Sequence, residues 1–97
     1  VPKDDMKAVN LYLQASWQGN PHAQLQLSSM YEHGVGVNKN LAEAYAWATV
    51  AGVYAPHYKA HPSTDDLVKN LSPAQRSLAL QRSREIYQEI ESKLGKK

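Results

Sequence analysis

Four histidines, two adjacent carboxylate pairs and one glycine-spaced loop are the residues of this chain whose types could carry chemistry. His22 and His33 are eleven positions apart, about 16 Å along a helix, too far to ligate one ion at about 2.1 Å each. His57 and His61 have the i, i+4 spacing of helical metal ligands, with Asp65 or Asp66 near enough in sequence to add an oxygen. Pro56 and Pro62 flank that pair, and a proline disfavours helix in the residue before it, so no metal site is expected. Asp4-Asp5 and Asp65-Asp66 fall at expected helix starts, where the helix dipole stabilises negative charge without any acid–base role. Gly34-Val35-Gly36-Val37 contains Gly-x-Gly, but no Lys-Ser/Thr follows and the flanking pattern is helical, so it reads as a tight reversal. The chain has no Gly-x-Ser-x-Gly elbow and no His-Glu-x-x-His pair. Zero cysteines exclude a thiolate metal site, a cysteine nucleophile and a disulfide framework. Neither enzyme activity nor a cofactor is expected.

Length and charge narrow the classes further. Ninety-seven residues make one small domain or a short stretch of a repeat array. Eleven Lys+Arg against nine Asp+Glu leave a net charge of +2, too balanced for an electrostatic footprint on nucleic acid. Arg76, Arg82, Arg84, Lys93, Lys96 and Lys97 are interleaved with Glu85, Glu89 and Glu91, a pattern of surface ion pairs and not a basic stripe. No apolar run approaches the ~20 residues that cross a bilayer, so a soluble chain without a transmembrane segment is expected.

The elements that must position these residues come from an internal repeat. Val1, Lys3 and Ala8 coincide with Val37, Lys39 and Ala44 at an offset of 36, and Leu11 and Ala15 fall over Trp47 and Ala51. Ala8, Leu11, Tyr12 and Ala15 follow the spacing of one helix face, as do Ala44, Trp47, Ala48 and Ala51. Alanines on such a stripe let a neighbouring helix come close, with Leu11 or Trp47 filling the gap between them. Gly19 offers a left-handed C-terminal cap, and Asn20-Pro21 an N-cap followed by proline at the first helical position. The spacing predicts a helix over residues 21–33 with Ala23, Leu27, Met30 and Tyr31 facing inward. Asn40 with Glu43 reads as a capping-box variant opening the next helix. A short connection between the two forces an antiparallel hairpin.

Ala23-Gln24, Leu27, Met30-Tyr31, Gly34-x-Gly36-Val37-x-Lys39 and Ala44-x-x-Trp47-x-x-x-Ala51 together resemble the sel-one-like repeat. That family is a branch of the tetratricopeptide-type α/α solenoids. Lys7-Ala8, Tyr12, Ala15 and Gln18-Gly19-Asn20 match the second half of a preceding unit, so the likeness covers about residues 1–52. Gly52 and Ser16 depart from the family's usual second alanine, and Ala55-Pro56 replaces the Gly-Asn seen at Gly19-Asn20. The resemblance implies an all-α, right-handed superhelix of about one and a half repeats plus a C-terminal cap. Residues 1–19 would be the second helix of a truncated repeat, 20–52 one full repeat, 53–64 an irregular connection and 65–97 the capping helices.

Within that last part, Ser63 or Thr64 would cap a short helix over residues 65–70. Ser72-Pro73-Ala74-Gln75 would open a long one running to about residue 94. Ala79, Ile86, Ile90 and Leu94 form its apolar stripe, and the Leu-Ser-Pro-x-Gln opening is similar to the ends of many bacterial members. At the N-terminal edge the first helix lacks a hairpin partner, which implies upstream repeats or self-association.

In related solenoids the first helix of each hairpin lines the concave side. Here that helix presents His22, Gln26, Ser29 and His33, the expected contacts for a protein or peptide partner, while Tyr54 and Tyr58 are the expected exposed aromatic anchors. A non-enzymatic scaffold or adaptor is the first reading. The second is a structural or regulatory accessory subunit of a bacterial envelope complex, and the most distant a metal-dependent hydrolase. The resemblance implies a bacterial or eukaryotic adaptor, with the bacterial periplasm or envelope slightly ahead of the cytoplasm.

Overall fold

Side-chain caps mark where three helices of this chain begin. The computed structural model describes residues 3–55 and 63–95. Their five helices are α1 (Lys3–Trp17), α2 (Pro21–His33), α3 (Leu41–Tyr54), α4 (Ser63–Asn70) and α5 (Pro73–Lys93), and the described residues contain no strand. Asn20 Oδ1 accepts from the Ala23 N–H at 3.1 Å, with Pro21 at the first position of α2. Asn40 Oδ1 accepts from the Glu43 N–H at 3.1 Å. Ser72 and Gln75 form the full reciprocal box at the start of α5, with bonds of 3.1 and 2.9 Å. Each of these satisfies backbone donors that the first helical turn leaves without a partner.

Two helix starts differ from expectation. Glu43 does not complete a box with Asn40, because the Asn40 N–H is already donated to the Tyr31 carbonyl at 2.9 Å. The Glu43 carboxylate accepts from Arg82 Nε at 2.7 Å instead. α4 begins at Ser63, two residues before the expected start, so Ser63 is its first helical residue and not a cap.

The turn after α1 is a Schellman motif: Asn20 N–H reaches the Ala15 carbonyl at 3.2 Å and Gly19 N–H the Ser16 carbonyl at 3.0 Å. It reverses the chain so that α2 packs along α1, and the loop after α2 repeats the reversal for α3. α3 is the middle of the molecule. Its largest interface is with α2, its next with α5, and α4 adds a smaller one. Ala44, Ala46, Trp47, Ala48, Val50 and Ala51 are all buried, covering more of the helix circumference than a single stripe. Leu27 of α2 and Ile86 and Ile90 of α5 join Trp47 and Val50 in one core cluster. The Trp17 indole meets Trp47 edge-on, with centroids 5.2 Å apart and planes at 80°, and ties α1 to it.

The face that α1 turns inward differs from the predicted stripe. Val9 and Ser16 are buried and Leu13 and Trp17 pack on the cluster, whereas Leu11 is 65% exposed. Trp47 is enclosed because α3 has neighbours on several sides. α1 packs mainly on α2, less on α5, and reaches α3 through Trp17, so the position equivalent to Trp47 points away from these neighbours. On α5, Ala79, Ser83, Ile86 and Ile90 make the buried stripe, while Leu94 lies past the helix end and is 41% exposed.

The Gly34–Gly36 loop also holds the two repeat halves together. Both glycines have left-handed backbones, φ 71° and 74°. A Cβ on Gly36 would lie 2.6 Å from the Asp5 carbonyl oxygen and 2.7 Å from Val9 Cγ2, so the loop backbone is pressed onto α1. The same atom on Gly34 would meet nothing closer than Lys39 Cβ at 3.3 Å. Gly36→Ala is expected to cost about 3 kcal/mol, adding a backbone clash to the left-handed strain. Gly34→Ala should cost about 1–2 kcal/mol. Urea unfolding of the two variants measures the gap, and equal losses would contradict the packing of the loop on α1.

Candidate interaction surfaces

α2 is divided lengthwise. Its inner side carries Ala23, Gln24, Leu27 and Ser28, all buried. Gln24 Nε2 donates to the Ser16 carbonyl at 3.0 Å, and Ser28 Oγ donates to the Ala44 carbonyl at 2.6 Å. These two side chains lock α2 to the end of α1 and the start of α3. Sequence reasoning assigned Ser28 no role and noted Gln24 only within the family pattern. Their signal was position, since each directly follows an inward residue on the helix.

The outer side of α2 carries the residues singled out from the sequence. His22, Gln26 and His33 are exposed and Ser29 is half-buried, one above another along a single face. His33 Nδ1 lies 3.0 Å from the Ser29 carbonyl. A carbonyl oxygen only accepts, so Nδ1 carries the proton and Nε2 is left to face outward.

Tyr54 is a different case. It is half-buried against the core cluster and its hydroxyl donates to Glu91 Oε2 at 2.7 Å. Its ring is tilted on Tyr87, with centroids 5.7 Å apart, and its edge lies over Gly19. As the last residue of α3 it folds back onto α5, so it is not the free aromatic anchor expected. Tyr58, His57 and His61 lie outside the described residues. Among the described residues no three His, Cys, Asp or Glu side chains come together as metal ligands.

The cations of α5 are interleaved with acids in space as in sequence. Arg82 lies 2.7 Å from Glu43 and 3.8 Å from Glu85. Tyr31, beside Glu43, has its phenol pushed above the usual tyrosine range, first by burial and then by the Glu43 charge, with Arg82 acting against both. No helix among the described residues is long and apolar enough to cross a membrane.

Helices paired antiparallel through tight glycine turns, α1 with α2 and α2 with α3, define an all-α helical-hairpin repeat protein. The Sel1 repeat model matches residues 1–20 and 21–51, with its boundary at the α1–α2 turn, and the chain belongs to the Sel1-repeat family. Sel1 repeats mediate protein–protein interaction, and the family is a non-catalytic interaction module. Among curated proteins none matches the chain significantly.

Burial, the hydrogen bond to Glu91 and the nearby negative charge all push the Tyr54 phenol far above the usual tyrosine range. Because the folded value is raised above the unfolded one, this contribution to stability is intact below about pH 10 and is lost as pH climbs further. In an absorbance titration of the six tyrosines, Tyr54→Phe is expected to remove a component that ionises late. Loss of a component titrating with the bulk would contradict the Tyr54–Glu91 contact.

Proposed function

We propose that the outer face of α2 holds a protein or peptide partner, with His22, Gln26, Ser29 and His33 as the contacting residues. The division of α2 carries this reading. The buried positions of the helix face the core, with Gln24 bonded to α1 and Ser28 to α3, and the remaining face presents hydrogen-bonding groups aligned along one line. The Ser29 carbonyl holds the His33 ring in one orientation, which lowers the entropy lost when a partner binds it. In this reading the face lies on the concave side of a right-handed hairpin stack. α4 and α5 then act as the C-terminal cap of about one and a half repeats, and the chain works as a scaffold or adaptor without catalysis.

Alanine replacement of all four residues tests it. Capture of the partner from cell extract should fall about tenfold or more, while the unfolding free energy moves by no more than about 0.5 kcal/mol, as for ordinary surface changes. Retained capture would contradict the assignment, and parallel loss of capture and stability would make the stripe a structural feature instead.

A further inference from the structure

α5 does not close fully onto the C-terminal half of α3. Between them lies an open cavity of about 260 Å³, lined on one side by Thr49, Val50 and Val53 and on the other by Ser83, Arg84 and Tyr87. Val50, 1% exposed, forms the floor. Val53 at 53% and Tyr87 at 36% exposure stand at the mouth, and Leu80, one turn before Arg84, continues the apolar surface along α5. No residue of α2 takes part.

Size and polarity define what fits. The volume falls below the roughly 300 Å³ at which small-molecule and cofactor sites begin, and suits a single large side chain. Two of the lining hydroxyl protons are already committed: Thr49 Oγ1 donates to the Tyr45 carbonyl at 2.8 Å and Ser83 Oγ to the Leu80 carbonyl at 2.7 Å. Arg84, Gln88 and the Tyr87 hydroxyl are the donors left at the rim. Arg82, two residues before, is held by Glu43 and Glu85, whereas Arg84 has no carboxylate partner among the described residues. A guanidinium beside an apolar cleft attracts a carboxylate more strongly than one surrounded by water, and repels a cationic segment.

We propose that the α3–α5 groove is a second docking site, for a protein segment that presents one bulky apolar side chain with an Asp or Glu within a helical turn of it. The apolar group enters over Val50 between Val53 and Tyr87, in the manner of a buried interface anchor, and the carboxylate pairs with Arg84. The site is independent of the α2 face.

Selection of short random peptides on the full chain tests the proposal, displayed without a free C-terminus so that side chains supply every carboxylate. Enriched peptides should share a large apolar residue with an acidic one a helical turn or less away. Amidated synthetic copies should lose about tenfold or more in affinity on Arg84→Glu and on Val53→Glu, and none on His22→Ala with His33→Ala. Both groove substitutions are at exposed positions, and an unchanged thermal midpoint verifies that each variant is folded. Absence of enrichment, enrichment of basic or uncharged motifs, or binding indifferent to Arg84→Glu would overturn it. So would self-association of the chain that Val53→Glu abolishes, since that would make a second copy the occupant.

Discussion

Close approach to α3 is the constraint on which the rest of this molecule depends. Four of its six buried side chains are alanines, so α2 and α5 can both press against its backbone while Trp47 and Val50 fill the space that remains. A helix of this kind has no wet face broad enough to stand alone, and its stability comes from its neighbours. Larger residues at Ala44 or Ala46, each fully buried, would push a neighbour away and open the cluster shared with Leu27, Ile86 and Ile90.

Around that axle the other contacts set register. Gly36 presses the hairpin loop onto α1, and Gln24 Nε2 and Ser28 Oγ donate to backbone carbonyls of α1 and α3. At the opposite end Tyr54, Ile90 and Leu94 converge on Gly19, so the end of α5 returns to the first turn of the chain. Two of the surfaces left over by this arrangement can receive a partner. One is the outer face of α2, and the other is the gap where α5 diverges from α3.

Much of the architecture was legible because it is written in local chemistry. Asn20, Asn40 and Ser72 mark helix starts through side-chain caps, and Gly19, Gly34 and Gly36 mark reversals. The exposure of His22, Gln26 and His33 followed from helical period alone. What could not be read depends on which element sits beside which. Leu11 and Val9 are equally apolar, and only the placement of α2 decides that Val9 turns inward. Arg82 reaches Glu43 and Tyr54 reaches Glu91 across nearly forty positions, so neither pairing carries a local signal. Gln24 and Ser28 look like surface residues until their carbonyl partners are located. The α3–α5 groove exists only in the packing of two distant segments.

Native-state hydrogen exchange measures the central claim directly. If α3 is the enclosed axle, the amides of Ala46, Trp47 and Val50 exchange only through global unfolding and are the slowest of the chain, with protection that falls in step with total stability as urea is added. If those amides instead exchange through a local opening, as fast as the amides of Met6 or Lys7 near the start of α1, then α3 does not hold the molecule together.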